Sequence, residues 1–251
     1  LSLRARPTCR VLLGAAVLAL TLTGCQVTPS PTWQTVQSFA RWPGRADPPP
    51  VLNPDYEYLA LTLRASTVYL ALGYRSESVV PAVAPSGTPV VLEHWYSARR
   101  ELLALEDGRL HQVVGAPVEW RAQRVTGRPS WSALVEPGAA PVAWTRSRDE
   151  MPAYRYGVVD LIRTRRIDPA KDPMPDEVPA DLARGVTSEV VWVHDDVRST
   201  RADGQPWRHA QWFALTQAQG RWRVLWSHQC LGPDWCVQLR PVAPVSPPPA
   251  G

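Results

Sequence analysis

Lysine is almost missing from this chain: Lys171 stands alone against 26 arginines, and two Phe and two Met accompany twelve Trp. The arginine bias fits a GC-rich genome and carries no functional weight. No apolar run reaches the roughly 20 residues that a membrane-spanning helix needs. There is no G-x-S-x-G elbow, no phosphate-binding glycine loop, no H-E-x-x-H helix and no convincing repeat, which removes the common hydrolase, nucleotide and zinc-protease signatures. The five histidines (His94, His111, His194, His209, His228) are scattered, and His194-Asp195-Asp196 alone approaches a ligand cluster. Two ligands sharing a strand face do not make a site, so this segment reads as a polar strand end, with no metal and no cofactor expected. Concentrated basic character is also absent. The formal net charge is +4, but Arg4, Arg6 and Arg10 lie in a segment expected to be removed. That leaves 24 basic against 23 acidic side chains, which argues against a nucleic-acid partner. Arg163-Thr164-Arg165-Arg166 is short, borders Asp160 and Asp168, and reads as a solvated strand end.

What is present is an address. LSLRARPTCR forms a positive n-region, and VLLGAAVLALTLTG follows as a 14-residue apolar core, the make-up of a secretory signal. Leu22-Thr23-Gly24-Cys25 resembles the lipobox of bacterial lipoproteins, in which the small Gly24 admits the peptidase and the Cys25 thiol takes diacylglycerol. Two or more acyl chains give stable anchoring. The alternative is ordinary cleavage nearby, with Cys25 incidental. Gln26 stands where an Asp would signal inner-membrane retention, so the expected location is the outer membrane, on its periplasmic face. Cys9 leaves with the signal and Cys25 is lipidated. Cys230 and Cys236 remain as an even pair, expected as a disulfide around Gly232-Pro233 in an oxidising periplasm. Zinc is the alternative, but Cys-x₅-Cys without a second pair is poor spacing for it.

Residues 25–54 are rich in Pro, Ser, Thr and Gln and read as a tether with a short helix over Thr35 to Arg41. From Tyr56 the hydrophobic period becomes two. Leu59, Leu61 and Leu63 alternate with polar or small neighbours, and Val68, Leu70, Leu72 and Tyr74 repeat the pattern after Arg64-Ala65. Further strands are expected at Val90–Tyr96, Glu101–Leu105, Arg109–Val114, Val118–Val125, Ser130–Val135, Val142–Arg146, Tyr154–Ile167, Val190–Arg198, Trp207–Leu215 and Trp222–Trp226. Asp107-Gly108 and Asp203-Gly204 are strong hairpin turns, and Gln219-Gly220 is a weaker one. Residues 168–185 read as a long surface loop, and the Pro-rich end (242–251) as a disordered tail. About ten to twelve short strands with frequent turns predict one all-β domain over residues 55–241, an antiparallel β-barrel or sandwich. Trp95, Trp192, Trp212 and Trp226 are expected in its core. Trp33, Trp42 and Trp235 sit in looser contexts.

Two stretches resemble the YjbF/GfcB family of lipoproteins, associated with group 4 capsule and exopolysaccharide production. Trp95-Tyr96-Ser97-Ala98, Gly108-Arg109-Leu110 and Gly115 are similar to the family's W-Y-S-A-D-G strand end, G-R-L hairpin return and following glycine, with Arg99-Arg100 standing where the family has Asp-Gly. In Gly220–Val237, the residues Val224, Trp226, Ser227, Gln229 and Gly232-Pro233 match a closing V-x-x-S-x-Q-x-x-x-P strand. Leu239-Arg240-Pro241 resembles a terminal L-K-P, and Trp212-Phe213 a Tyr-Trp pair. The likeness covers roughly residues 22–241, with 128–190 matching in outline. It implies a β-rich periplasmic domain without catalysis, acting beside a periplasmic partner and an outer-membrane protein in polysaccharide export. Trp95, Tyr96, Arg109, Gln229 and Trp235 become the candidate glycan or partner contacts. Two other readings stay open, a polysaccharide-modifying enzyme and a general envelope lipoprotein with a lipid-binding cavity, as does pairing of two copies.

Overall fold

The computed structural model describes residues 52–78, 90–183, 190–200 and 206–242. Cys25, Trp33, Trp42, the helix expected over Thr35 to Arg41, the Asp203-Gly204 turn and the Pro-rich tail lie outside them.

Twelve strands follow one another in a closed antiparallel barrel, each paired with its chain neighbours, and the last closes on the first. They are β1 (Tyr58–Leu63), β2 (Ser66–Ser78), β3 (Val90–Tyr96), β4 (Leu102–Glu106), β5 (Arg109–Val114), β6 (Glu119–Thr126), β7 (Val142–Met151), β8 (Arg155–Ile167), β9 (Val191–Thr200), β10 (Pro206–Ala218), β11 (Arg221–Gly232) and β12 (Trp235–Val242). Closure pairs Leu61 of β1 with Leu239 of β12 and leaves no sheet edge exposed. The turn chemistry is the one the sequence suggests. Asp107 and Gly108 both have positive φ (50° and 78°), as do Gln219 and Gly220 (54° and 74°), which is what a two-residue hairpin turn requires.

Ser130–Val135 is a correction: it forms no strand but a short helix, α1 (Trp131–Val135). The Ser130 side chain caps it by accepting from the Ala133 amide at 3.3 Å. Trp131, Leu134 and Val135 recur at helical spacing, so they share one face. That face packs on Val193, Phe213 and Leu215, which places the helix as a plug at the barrel end holding the 107–108 and 219–220 turns. Residues 168–183 carry a second short helix, α2 (Ala180–Ala183), and cross the outer wall as a strap. Met174, Val178 and Leu182 cover Trp192, Ala214 and Trp226 there.

Alternation along the strands sends one set of side chains inwards. On the β1–β5 and β11–β12 side that set is mainly apolar, with Leu59, Leu70, Trp95, Leu105, Leu110, Val237 and Leu239 in one cluster and Arg109, Ser227 and Gln229 among the buried polar exceptions. On the β7–β9 side it is mixed. Trp144, Ile162 and Val197 share it with Arg146, Arg148, Asp160, Thr164, Asp195 and Ser199, all buried.

Candidate functional site

The charged part of the interior is a connected network. Asp160 accepts from Arg146 (Nε at 2.7 Å), from Arg148 and from Ser199. Arg148 continues to Glu150 at 2.5 Å, and Glu150 to Arg155. The guanidiniums of Arg146 and Arg148 lie 4.4 and 4.3 Å from the centroid of the Trp120 ring, a doubled cation–π contact. Nearer the plug, Arg109 pairs with Asp195 and sits 4.1 Å from Trp131 and 4.4 Å from Phe213. Thr164 donates to Asp195 at 2.6 Å and receives the Trp144 indole N–H at 2.8 Å. Burial alone would raise the Asp160 carboxyl, but Arg146 and Arg148 outweigh it and hold it at about 2. His209 is pushed down to about 3, by burial first and then by Arg146. The acids and arginines of this network are paired with one another.

The outer wall is different. Direct cross-strand partners share a face, and Arg165, His194, Trp212, His228, Gln238, Thr62 and Thr67 are successive partners from β8 through β9, β10, β11, β12 and β1 to β2. Adjacent members stand about 4.8 Å apart, the spacing of neighbouring strands. The Trp212 ring meets His194 and His228 edge-on, with centroids 5.3 and 5.5 Å away, and its N–H donates to the strap carbonyl of Pro173 at 3.2 Å. Arg165–Asp172 at 2.8 Å and Arg240–Asp181 at 2.6 Å fasten the strap at two points.

Where this row passes the strap, a groove of about 280 Å³ opens, lined by Arg64, Glu177, His228, Asp234, Cys236 and Gln238 among others. The Cys230–Cys236 disulfide borders it and joins directly opposed positions of β11 and β12, with Cα atoms 3.8 Å apart. The His228 pKa is lowered by burial, with Glu177 pulling the other way; the His194 pKa is lowered by burial and then by Arg165. Both rings are therefore neutral at pH 7, each with one donor and one acceptor nitrogen. His228 Nδ1 is buried without a partner. A neutral imidazole, an amide, two carboxylates and a guanidinium around one small space suit a hydroxyl-rich ligand, whose groups both donate and accept. A larger recess of about 520 Å³ lies at the root of the strap, and several of its polar groups are already engaged. Arg166 donates to the Val135 carbonyl, and Asp172 and Asp168 pair with Arg165 and Lys171. Among the described residues, no group of three or more His, Cys, Asp or Glu side chains could hold a metal ion.

The residues singled out from sequence are not gathered in one place. Trp95 is buried in the apolar interior, and Arg109 is paired with Asp195. Gln229 is fully buried, accepting from the Leu110 amide and donating to the Gly108 carbonyl, both at 2.9 Å, so it secures the β4–β5 turn. Tyr96 is half-buried on the outer wall, its ring so close over Gly73 that a Cβ there would lie 2.6 Å away. Trp235 packs beside the apolar interior cluster. Of the four Trp expected in the core, Trp95 is inside the barrel, Trp192 and Trp226 are buried beneath the strap, and Trp212 is half-exposed in the row. Sequence reasoning missed Glu177, His228, Asp234 and Gln238 as neighbours. The signal that would unite them, strand register, spans β11, β12 and the strap.

Together these features define a closed β-barrel with a buried charge network inside and a polar groove on its outer wall. No known family's sequence profile matches the chain, and no curated protein does. Among solved structures it is similar to the crystal structure of the hypothetical lipoprotein YmcC from Escherichia coli (K12), at 17% identity, covering 76% of this chain and 85% of that one, with a TM-score of 0.44.

Proposed function

We propose that this chain is a lipoprotein of the bacterial envelope, anchored through Cys25 to the periplasmic face of the outer membrane, and a non-catalytic accessory of capsule or exopolysaccharide export. The observation that carries this reading is the outer-wall groove, where His228, Gln238, Glu177 and Asp234 line one small polar space. The polar lining of the groove favours work done on the outside of the barrel over transport of a lipid. The groove accommodates a short stretch of glycan or a polar loop of an export partner, and the acyl chains keep it where polymer leaves the cell.

The test is secreted polysaccharide from a deletion strain complemented with wild type, Cys25→Ala, or the paired change His228→Ala and Gln238→Ala. Rescue by wild type and failure by both variants, at equal protein level, is the expected result. Unchanged polymer in the deletion strain would sink the proposal. The enzyme reading has its own handle in Glu177 and Asp234, two carboxylates lining the same groove. It requires the purified chain to cleave or modify the polymer, and Glu177→Gln to stop it.

A further inference from the structure

The outer face centred on β8, four strands round the barrel from β12, carries a second kind of surface. On β8, Val159 and Leu161 are 47% and 57% exposed, and Tyr154 and Tyr156 at the adjoining rim are 71% and 68% exposed. Isolated exposed aliphatics are ordinary, but these lie among exposed arginines. Cross-strand pairing places Arg124, Ser147 and Val159 in one row, Thr145, Leu161, Arg198 and Arg208 in the next, and Arg163 with Asp196 in the one after. Arg124, Arg163, Arg198 and Arg208 are all exposed. Among the described residues, the acids on the outer faces of β6–β10 are Asp196, 3.9 Å from Arg198, Asp149, which accepts from the Gly157 amide, and Glu119, paired with Arg121.

We infer that this face docks on an anionic phospholipid surface, with Val159, Leu161 and the two tyrosines reaching the headgroup boundary and the arginines taking the phosphates. Two arguments select that occupant. A second copy meeting the face across a two-fold axis would set arginine against arginine. The aliphatics also stand on the convex outside of a barrel, a shape that meets a plane and not a single extended chain. Arginine and tyrosine at a boundary, with aliphatics between them, is the composition of interfacial membrane contacts. Docking by this wall would leave the groove, on the β11–β12 side, facing away from the bilayer. The inference is independent of what the groove binds.

The test uses the mature chain from residue 25 with Cys25→Ala, so that no acyl chain contributes, and measures co-sedimentation with vesicles. Binding to vesicles of phosphatidylcholine and phosphatidylglycerol in equal parts is expected to exceed binding to phosphatidylcholine alone by about tenfold and to fall with salt. Val159→Thr with Leu161→Thr, at exposed positions where threonine suits a strand, should lower it about tenfold. Arg163→Gln with Arg198→Gln should do the same, while Arg221→Gln with Arg223→Gln on β11 should leave it within about twofold. Equal binding to both vesicle types, or loss that follows arginine number regardless of position, would overturn the inference. So would a dimer in sedimentation equilibrium that Val159→Thr with Leu161→Thr dissolves, which would assign the face to a second copy.

Discussion

The two sides of the barrel interior are built by the same alternation and filled by opposite chemistry. Towards β1, β2 and β12, the inward residues are mainly leucine and valine, and burial needs no partner. Along β7–β9 the inward positions include Arg146, Arg148, Asp160 and Asp195, and each charge is tolerable only because another lies against it. An apolar side loses stability in proportion to the volume removed. A charged side fails when one member goes, because the cost is an uncompensated buried ion. The contrast is therefore one of robustness more than of strength.

The largest effect is expected from Asp160→Ala, which strands Arg146 and Arg148 in the interior. It should cost about 3–5 kcal/mol in urea unfolding. Changing Arg146 and Asp160 together to leucine should cost less than Asp160→Ala alone. If the double change costs more, the two sides of the barrel are not distinguished by compensation.

On the apolar side, Leu239→Ala should cost about 2–5 kcal/mol with no dependence on pH. A markedly smaller loss would show that this side collapses around the deletion.

The smallest effect sharpens the comparison through acid. His209 lies on the charged side, neutral in the folded state with its pKa at about 3, and it takes up a proton in the unfolded chain below about 6.5. The unfolded state thus binds more protons across that window, so stability rises with pH there and falls as pH drops from about 6.5 towards 3. The slope from this residue is at most about 1.4 kcal/mol per pH unit. Asp160, with its pKa lowered to about 2, adds stability that is present above about 4 and lost as pH falls towards 2. His209→Gln should flatten the acid curve between about pH 6.5 and 3 and leave the part below pH 3. An unchanged slope would mean that His209 is not the group sensed.

Much of the fold was legible because the strands with a leucine face announce their period. Leu59, Leu61 and Leu63, or Val68, Leu70 and Leu72, can be only half-buried strand. Asp107-Gly108 and Gln219-Gly220 mark their turns by the positive φ they permit. The segment 130–135 misled because Trp131, Ala133 and Val135 alternate as in a strand while Trp131, Leu134 and Val135 fit a helix, and the helix was settled by the Ser130 cap and the space at the barrel end. Asp195 read as one more polar residue at a strand end. Nothing in His194-Asp195-Asp196 says that the middle residue faces Arg109, 86 positions earlier.

By itself, then, the sequence determined an all-β chain with hairpin turns and an even cysteine pair, which local period, turn stereochemistry and redox chemistry are enough to decide. It determined neither the closure of β1 on β12, nor which arginines are solvated and which are buried, nor the meeting of His228, Gln238, Glu177 and Asp234 at one groove. Those depend on register and on the path of the strap, and register becomes definite only when every strand has found both of its neighbours.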